Sequence, residues 1–419
     1  MNDNAAAVKT APEIDWWSLL SDRDFLIDPY PVLRRIQDQG SVHFDANSGI
    51  YFVLGYKEFV RIATALQMGR DTRLWTNGWC NEGNRHRDPV GYRLLDEFQP
   101  QMINSNPPDH GRMRGVYDPT FRSRAVALLA PMIQAEANQL LAAMPENGAV
   151  DLMSAFATPM PLRVLRNLFE IPAEMDGEIS RWSAALIKIG DILMTPEQKQ
   201  AAHDALIEFK AFLRNHLAAR ATTAGDGMIG GVIRAFSGGV LDEEETLTNL
   251  VSMLIAGHET TVTLIGNGTL CLLRNPEQLE RLRADPALLK PAVEEFLRYE
   301  PGGNMILRVA LEDLDVGGTT IPKGSAVVGM IGAINRDPAR FPDPDRFDIA
   351  RSPNPHLTFG AGIHICIGAP LARLEAQIAF QSLLARYPKI TLAGEPEWRL
   401  DRRNARGLQT LPIQVSTAA

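Results

Sequence analysis

A lone cysteine, Cys366, stands in the run Phe359-Gly-Ala-Gly-Ile-His-Ile-Cys-Ile-Gly-Ala-Pro370. Gly360, Ala361 and Gly362 form a turn nearly free of side chains, so the backbone can pass close beneath something flat. Gly368 and Pro370 lead into Leu371-Ala-Arg-Leu-Glu-Ala-Gln-Ile378, whose apolar spacing is helical. Cys366 is thereby set at or just before a helix start, where free N–H groups and the helix dipole favour a thiolate. A thiolate is a nucleophile or a metal ligand; the bland alternative is a buried structural cysteine. His364 and Cys366 would make half of a zinc site, but no second Cys/His pair completes a tetrahedral set.

These residues need rigid elements to hold them. The clearest predicted helix starts after Asp242, an N-cap residue followed by three glutamates, and runs to about Arg274 before Asn275-Pro276. At ~1.5 Å per residue its roughly 30 residues span ~45 Å, so it must cross the molecule as a central strut. Its middle carries Ala256-Gly257-His258-Glu259-Thr260-Thr261. A threonine in mid-helix ordinarily gives its hydroxyl to a carbonyl one turn back, and a plain small-residue packing seam is the alternative to a functional reading. Earlier in the chain, a helix follows Asp28-Pro-Tyr-Pro31, a hairpin joins 42–44 to 50–54, and another helix covers 56–66. Residues 70–106, with Trp75 and Trp79 among polar turn formers, read as a long irregular and hence functional loop. Helical periodicity dominates 107–300. Short strands are expected at 308–310, 314–316, 319–321 and 326–328, then an irregular meander over 335–355.

The chain has 419 residues and a composition typical of a globular protein, 45% hydrophobic and 22% charged. No repeat or linker divides it, so a single mainly α domain with a smaller β-rich portion is expected over 14–419, after a disordered tail at 1–13. A net charge of −8 argues against nucleic acid as a partner. Three widely spaced cysteines suit a reducing cytoplasm. No basic segment leads into an apolar run at the start, and no stretch reaches the ~18 apolar residues of a membrane span, so neither a signal peptide nor a membrane partner is expected.

Taken in this order, the motifs resemble those of the cytochrome P-450 family, the haem-thiolate monooxygenases, and in particular its soluble bacterial members. Phe359 to Gly368 matches the family's haem-binding signature at every fixed position. The resemblance implies haem b (iron protoporphyrin IX) as cofactor and Cys366 as the axial ligand of its iron, a thiolate that favours O–O cleavage. It implies that Phe359 and Gly368 border the cofactor and that His364 reaches a haem propionate. His110 and Arg114 match the family's HxxxR, and i to i+4 spacing puts both donors on one helical face. Arg308, in Leu307-Arg-Val-Ala310, matches the further propionate arginine. Glu295 and Arg298 match ExxR, with Arg346 expected to arrive from the meander and complete a structural Arg–Glu–Arg cluster.

Ala256 to Thr261 matches the family's oxygen-activating motif. The resemblance implies that Ala256 and Gly257 leave room for haem and dioxygen, that Glu259 and Thr260 form the acid–alcohol pair relaying protons, and that His258 has no role. By eye, Asn249, Ser252, Ile255, Ala256, Asn304, Met305 and Ile306 would edge the substrate pocket. The 75–104 loop, Trp182, Leu186, Ile187 and Ile189 would form its lid. The expected enzyme is a monooxygenase inserting one atom of O2 into a C–H bond, by hydroxylation or oxidative dealkylation. Its substrate would be a small to medium hydrophobic molecule such as a terpenoid, aromatic or fatty acid. No flavin or nicotinamide domain is visible, so electrons are expected from a ferredoxin and its reductase, docking near Arg112, Arg114 and Arg373 on a monomer. A peroxide-driven hydroxylase is the alternative enzyme, though it would not need the acid–alcohol pair; a haem-thiolate sensor or binding protein is the alternative from another class.

Overall fold

A computed structural model describes residues 14–78, 81–191, 193–223 and 225–418. The expected tail at 1–13, together with Trp79, lies outside the described residues. The axis of the fold is the helix Glu243–Arg274, 32 residues long. Asp242 caps it by accepting from the Glu245 N–H while the Glu245 side chain reaches back to the Asp242 N–H, which satisfies two of the end's otherwise unpaired donors. Most of this helix is buried, and its largest apolar cluster also takes in residues of Pro159–Leu168, Asp176–Leu186, Pro196–Arg220 and Ala369–Arg386. A helix apolar on nearly all sides is stable only when wrapped in this way.

A five-stranded sheet stands to one side, in the order Val42–Asp45, Ile50–Val53, Ala326–Met330, Met305–Ala310, Met68–Gly69. The Ile50–Val53 strand pairs parallel with Ala326–Met330; the other pairs are antiparallel. A three-stranded sheet joins Asn147–Asp151, Pro412–Ser416 and Lys389–Leu392, so the chain's end is tied to its first half. The expected hairpin, the strands after 305 and the irregular 335–355 meander are all present.

Two expectations need correction. The 70–106 stretch contains the helix Pro89–Phe98, capped by the Asp88 carboxylate and burying Leu94, Leu95 and Phe98. The surrounding Asn, Asp and Gly turns hid its single apolar stripe. Within 107–300 the helical run is interrupted by the strand Asn147–Asp151, whose partners lie more than 230 residues away and leave no local signal.

Candidate active site

The central helix is exposed in its middle only at Ala256 and Thr260, one turn apart. Ser252, a further turn back, is half-buried. Side chains exposed on one stripe of a core helix mark an internal void. The Thr260 hydroxyl donates to Ala256 O (2.6 Å), the ordinary resting bond of a helical threonine. Gly257 serves another purpose than the one expected: a Cβ there would meet Leu165 at 3.1 Å, so the missing side chain lets the Pro159–Leu168 helix pack close. His258 is buried against Thr158 O (3.3 Å), as a packed residue without chemistry would be.

Glu259 is buried, and its Oε2 accepts from Arg399 Nη1 and Arg402 Nη2, both at 2.9 Å. Burial alone would raise this carboxyl, but Arg402, His258 and Arg399 outweigh it and hold the group below the usual carboxylate range. The acid expected to face the oxygen site is thus clamped by a C-terminal loop. Neither arginine belongs to any motif, and only the fold brings them more than 130 residues back to the helix.

Cys366 lies exposed at the end of its loop, its N–H donating to Phe359 O (2.9 Å), just before the helix Ala369–Arg386. Gly360 and Gly362 take φ of +70° and +73°, the left-handed conformations that a loop this tight requires of glycine. The helix start pulls the thiol down as expected, through the Gly368 and Ala369 N–H groups with help from Arg114 and Arg373, but desolvation by the surrounding protein outweighs them and leaves it above its ordinary value. A metal ion would deprotonate it outright. Among the described residues no group of three or more His, Cys, Asp or Glu side chains could hold a metal.

Around this loop the structure gathers basic side chains, three of them arginines. The His110 and His364 rings lie 4.3 Å apart between centroids. Arg308 is buried and, among the described residues, its guanidinium donates only to Leu307 O (3.0 Å); burial and the neighbouring Arg70 lower it to about 9. His364 is pushed down to about 2 by burial and by Arg70, His110, Arg308 and Arg114. Arg114 is partly spent: Nε faces Asp118 (3.2 Å) and Nη1 donates to Ile365 O (2.8 Å) and Ile363 O (3.2 Å). Burying cations together is unfavourable unless an anion joins them. This cluster fits a cofactor carrying carboxylates.

A cavity of about 300 Å³ adjoins the exposed helical stripe. Ser252, Ile255, Ala256 and Met305 line it as expected, as do Leu186, Ile187 and Ile189 of the lid. Asn249 does not. It is buried, accepting from the Met102 N–H (2.9 Å) and donating to Glu245 O (2.7 Å), so it braces the helix. Ile306 points toward Gly360, because alternate side chains of a strand face opposite ways; Leu307 takes the cavity position with Met305. Asn304 turns its side chain toward Gly332, and Asn404 lines the cavity instead. Trp182 is a core residue stacked on Phe209 at 4.6 Å rather than part of the lid.

Glu295 and Arg298 are fully buried and doubly bonded at 2.8 Å. The third member is Arg351, whose Nε reaches Glu295 Oε1 at 3.3 Å, and not Arg346. Arg346 is 63% exposed beside Asp348 and contributes only its carbonyl, to Arg298 Nη2 (3.2 Å). Both arginines lie in the irregular meander, where spacing cannot choose between them. Phe359 is covered by Arg373 at 4.5 Å. The expected docking cations are also engaged: Arg373 pairs with Glu294 (2.7 and 2.8 Å), and Arg112 with Glu245 and Asp109.

This arrangement of thiol loop, cation cluster and helical stripe is that of a haem-thiolate monooxygenase, and the chain belongs to the cytochrome P450 family, whose model matches residues 197–417. Among its relatives, the biotin biosynthesis cytochrome P450 of Bacillus subtilis (strain 168) is 36% identical over 401 residues, covering 94% of this chain and 98% of that protein. The cytochrome P450 monooxygenase PikC of Streptomyces venezuelae is 36% identical over 403 residues, covering 94% and 92%. The solved structure of P450BioI in complex with hexadec-9Z-enoic acid ligated acyl carrier protein superposes with a TM-score of 0.86 at 34% identity, covering 94% of this chain and 100% of that one. The protein binds haem and uses it as a monooxygenase.

Proposed function

We propose that Cys366 is the axial ligand of the haem iron, that His110, His364, Arg308 and Arg114 hold the haem carboxylates, and that Phe359 and Gly368 border the ring. The carrying observation is the exposed thiol in its glycine loop beside Arg70, Arg114, Arg308 and two histidines, with Asp118 the one acid paired to them among the described residues. When bound, haem supplies the reduction of dioxygen and the insertion of one of its atoms into a C–H bond. The protein's part is to place the substrate and deliver protons. Thr260 Oγ1, exposed on the void, turns from Ala256 O to present its proton; Glu259 Oε2, ionised at rest, loosens from Arg399 or Arg402, takes a proton from solvent and passes it to Thr260. Ala256, with only a methyl group, leaves the space. Glu295, Arg298 and Arg351 are structural.

The cavity walls Ile255, Met305 and Leu307 are apolar, so the substrate we propose is a small to medium hydrophobic molecule, hydroxylated at a C–H bond. Long-chain acyl groups are favoured among terpenoid, aromatic and fatty-acid candidates by the likeness to a protein solved with a fatty acid on acyl carrier protein. Such a carrier would then replace the free acid as the form delivered. Electrons come from a ferredoxin and its reductase, and the working place we propose is the cytoplasm, with the enzyme a monomer. The test is reconstituted turnover with a ferredoxin, its reductase and NADPH under ¹⁸O2. One labelled hydroxyl per product is expected; label-free product, or product formed only with hydrogen peroxide, would contradict the proposal.

A further inference from the structure

The strand Met68–Gly69 pairs antiparallel with Met305–Ala310, Met68 opposite Ala310 and Gly69 opposite Val309. One step further along that register stands Arg70, across from Arg308. Like charges directly opposite on neighbouring strands repel, and burial strengthens the repulsion. The side chains nevertheless converge: Arg70 Nη1 (2.8 Å) and Arg308 Nη1 (3.0 Å) donate to the same oxygen, Leu307 O. Arg70 Nε donates to Ile103 O (3.1 Å), and the Arg70 backbone N–H to Asn106 Oδ1 (2.9 Å), so its position is fixed from two sides. Among the described residues neither guanidinium forms an ion pair. A buried guanidinium, Arg308, and a half-buried one, Arg70, held on one carbonyl need an anion beside them.

That anion is the dianionic edge of the haem, and the reading rests on the haem binding already established. We propose that Arg70 is a further anchor for the haem carboxylates, acting as a pair with Arg308. Arg114 has only its Nη2 left for the carboxylates, since its Nε faces Asp118 and its Nη1 is taken by the cysteine loop, so the Arg70–Arg308 pair adds what it lacks. Arg70 also lines the substrate cavity, so the competing assignment is an anchor for a carboxylate on the substrate.

The experiment compares ferric holoenzyme of wild type, Arg70→Ala and Arg70→Lys in haem transfer to excess apomyoglobin, with folding checked by circular dichroism. Loss of hydrogen bonds to a charged group predicts transfer about tenfold faster from Arg70→Ala, with Arg70→Lys in between. The reduction potential of Arg70→Ala should fall, because a cation near the haem favours the state that has gained an electron. Should Arg70→Ala fail to fold, Arg70→Lys and Arg70→Gln carry the comparison, with faster transfer from Gln than from Lys expected. Transfer within about twofold of wild type at an unchanged potential would overturn the proposal. So would unchanged transfer accompanied by weaker binding of dodecanoate but not of dodecan-1-ol, which would make Arg70 a substrate anchor. Absence of a thiolate spectrum in the wild type would instead count against the axial role of Cys366, leaving the two failures distinguishable.

Discussion

Glu259 is held between two arginines rather than free at the oxygen site, and this shapes what its substitution should do. Glu259→Gln leaves Arg402 buried without a counter-charge, so stability should fall by about 3 kcal/mol, read from the shift in urea midpoint. A loss below about 0.5 kcal/mol would show that the clamp contributes nothing. The same pair gives a pH dependence of definite sign. The folded carboxyl lies below its unfolded value of ~4.3, so its contribution is present above that pH and is lost as pH falls through the depressed folded value. Wild type should therefore lose stability on acidification more steeply than Glu259→Gln. For the buried Glu295–Arg298 pair, the structure assigns the third place to Arg351. Arg351→Ala should destabilise clearly, by about 1–3 kcal/mol, whereas Arg346→Ala should stay within about 0.5 kcal/mol, both in the same urea assay. The reverse order would restore the assignment that the sequence suggested. What spacing cannot show at this scale is which way a side chain turns: Asn249, Asn304 and Ile306 stand near the substrate cavity in sequence, and none of them lines it.

At the scale of elements, the central helix is set by its start and by one gap in its side. Asp242→Ala removes the capping box and should cost about 1 kcal/mol. Gly257→Val should cost about 1–3 kcal/mol by driving a side chain into Leu165, with the melting temperature as readout and Gly257→Ala intermediate. The helix itself was readable in the sequence because its signals are local: a cap, acids in the first turn, a long apolar run and a following Asn-Pro. The Pro89–Phe98 helix and the strand Asn147–Asp151 were not. The first is one short stripe among turn residues; the second exists only through pairing with the chain's end. The loop bearing Arg399 and Arg402 escaped notice for the same reason, since its importance lies in reaching Glu259.

For the molecule as a whole, the readable part of the site is the part carried by contiguous motifs, namely the cysteine loop, the helix motif and ExxR. The walls of the cavity are assembled from distant segments, and Arg70, Leu307 and Asn404 entered only through tertiary structure. Because Ala256 faces that shared space, Ala256→Phe should fill it without disturbing the core. Long-chain acids should then no longer shift the haem spin state, while the fold and haem content stay intact. The account's central claim is that Cys366 ligates the iron. The measurement that tests it most directly is the absorption spectrum of the dithionite-reduced protein under carbon monoxide, for wild type and Cys366→Ala. A strongly red-shifted Soret band in the wild type, lost in the variant, is predicted. A folded, haem-replete wild type without that band, or a variant that keeps it, would contradict the account.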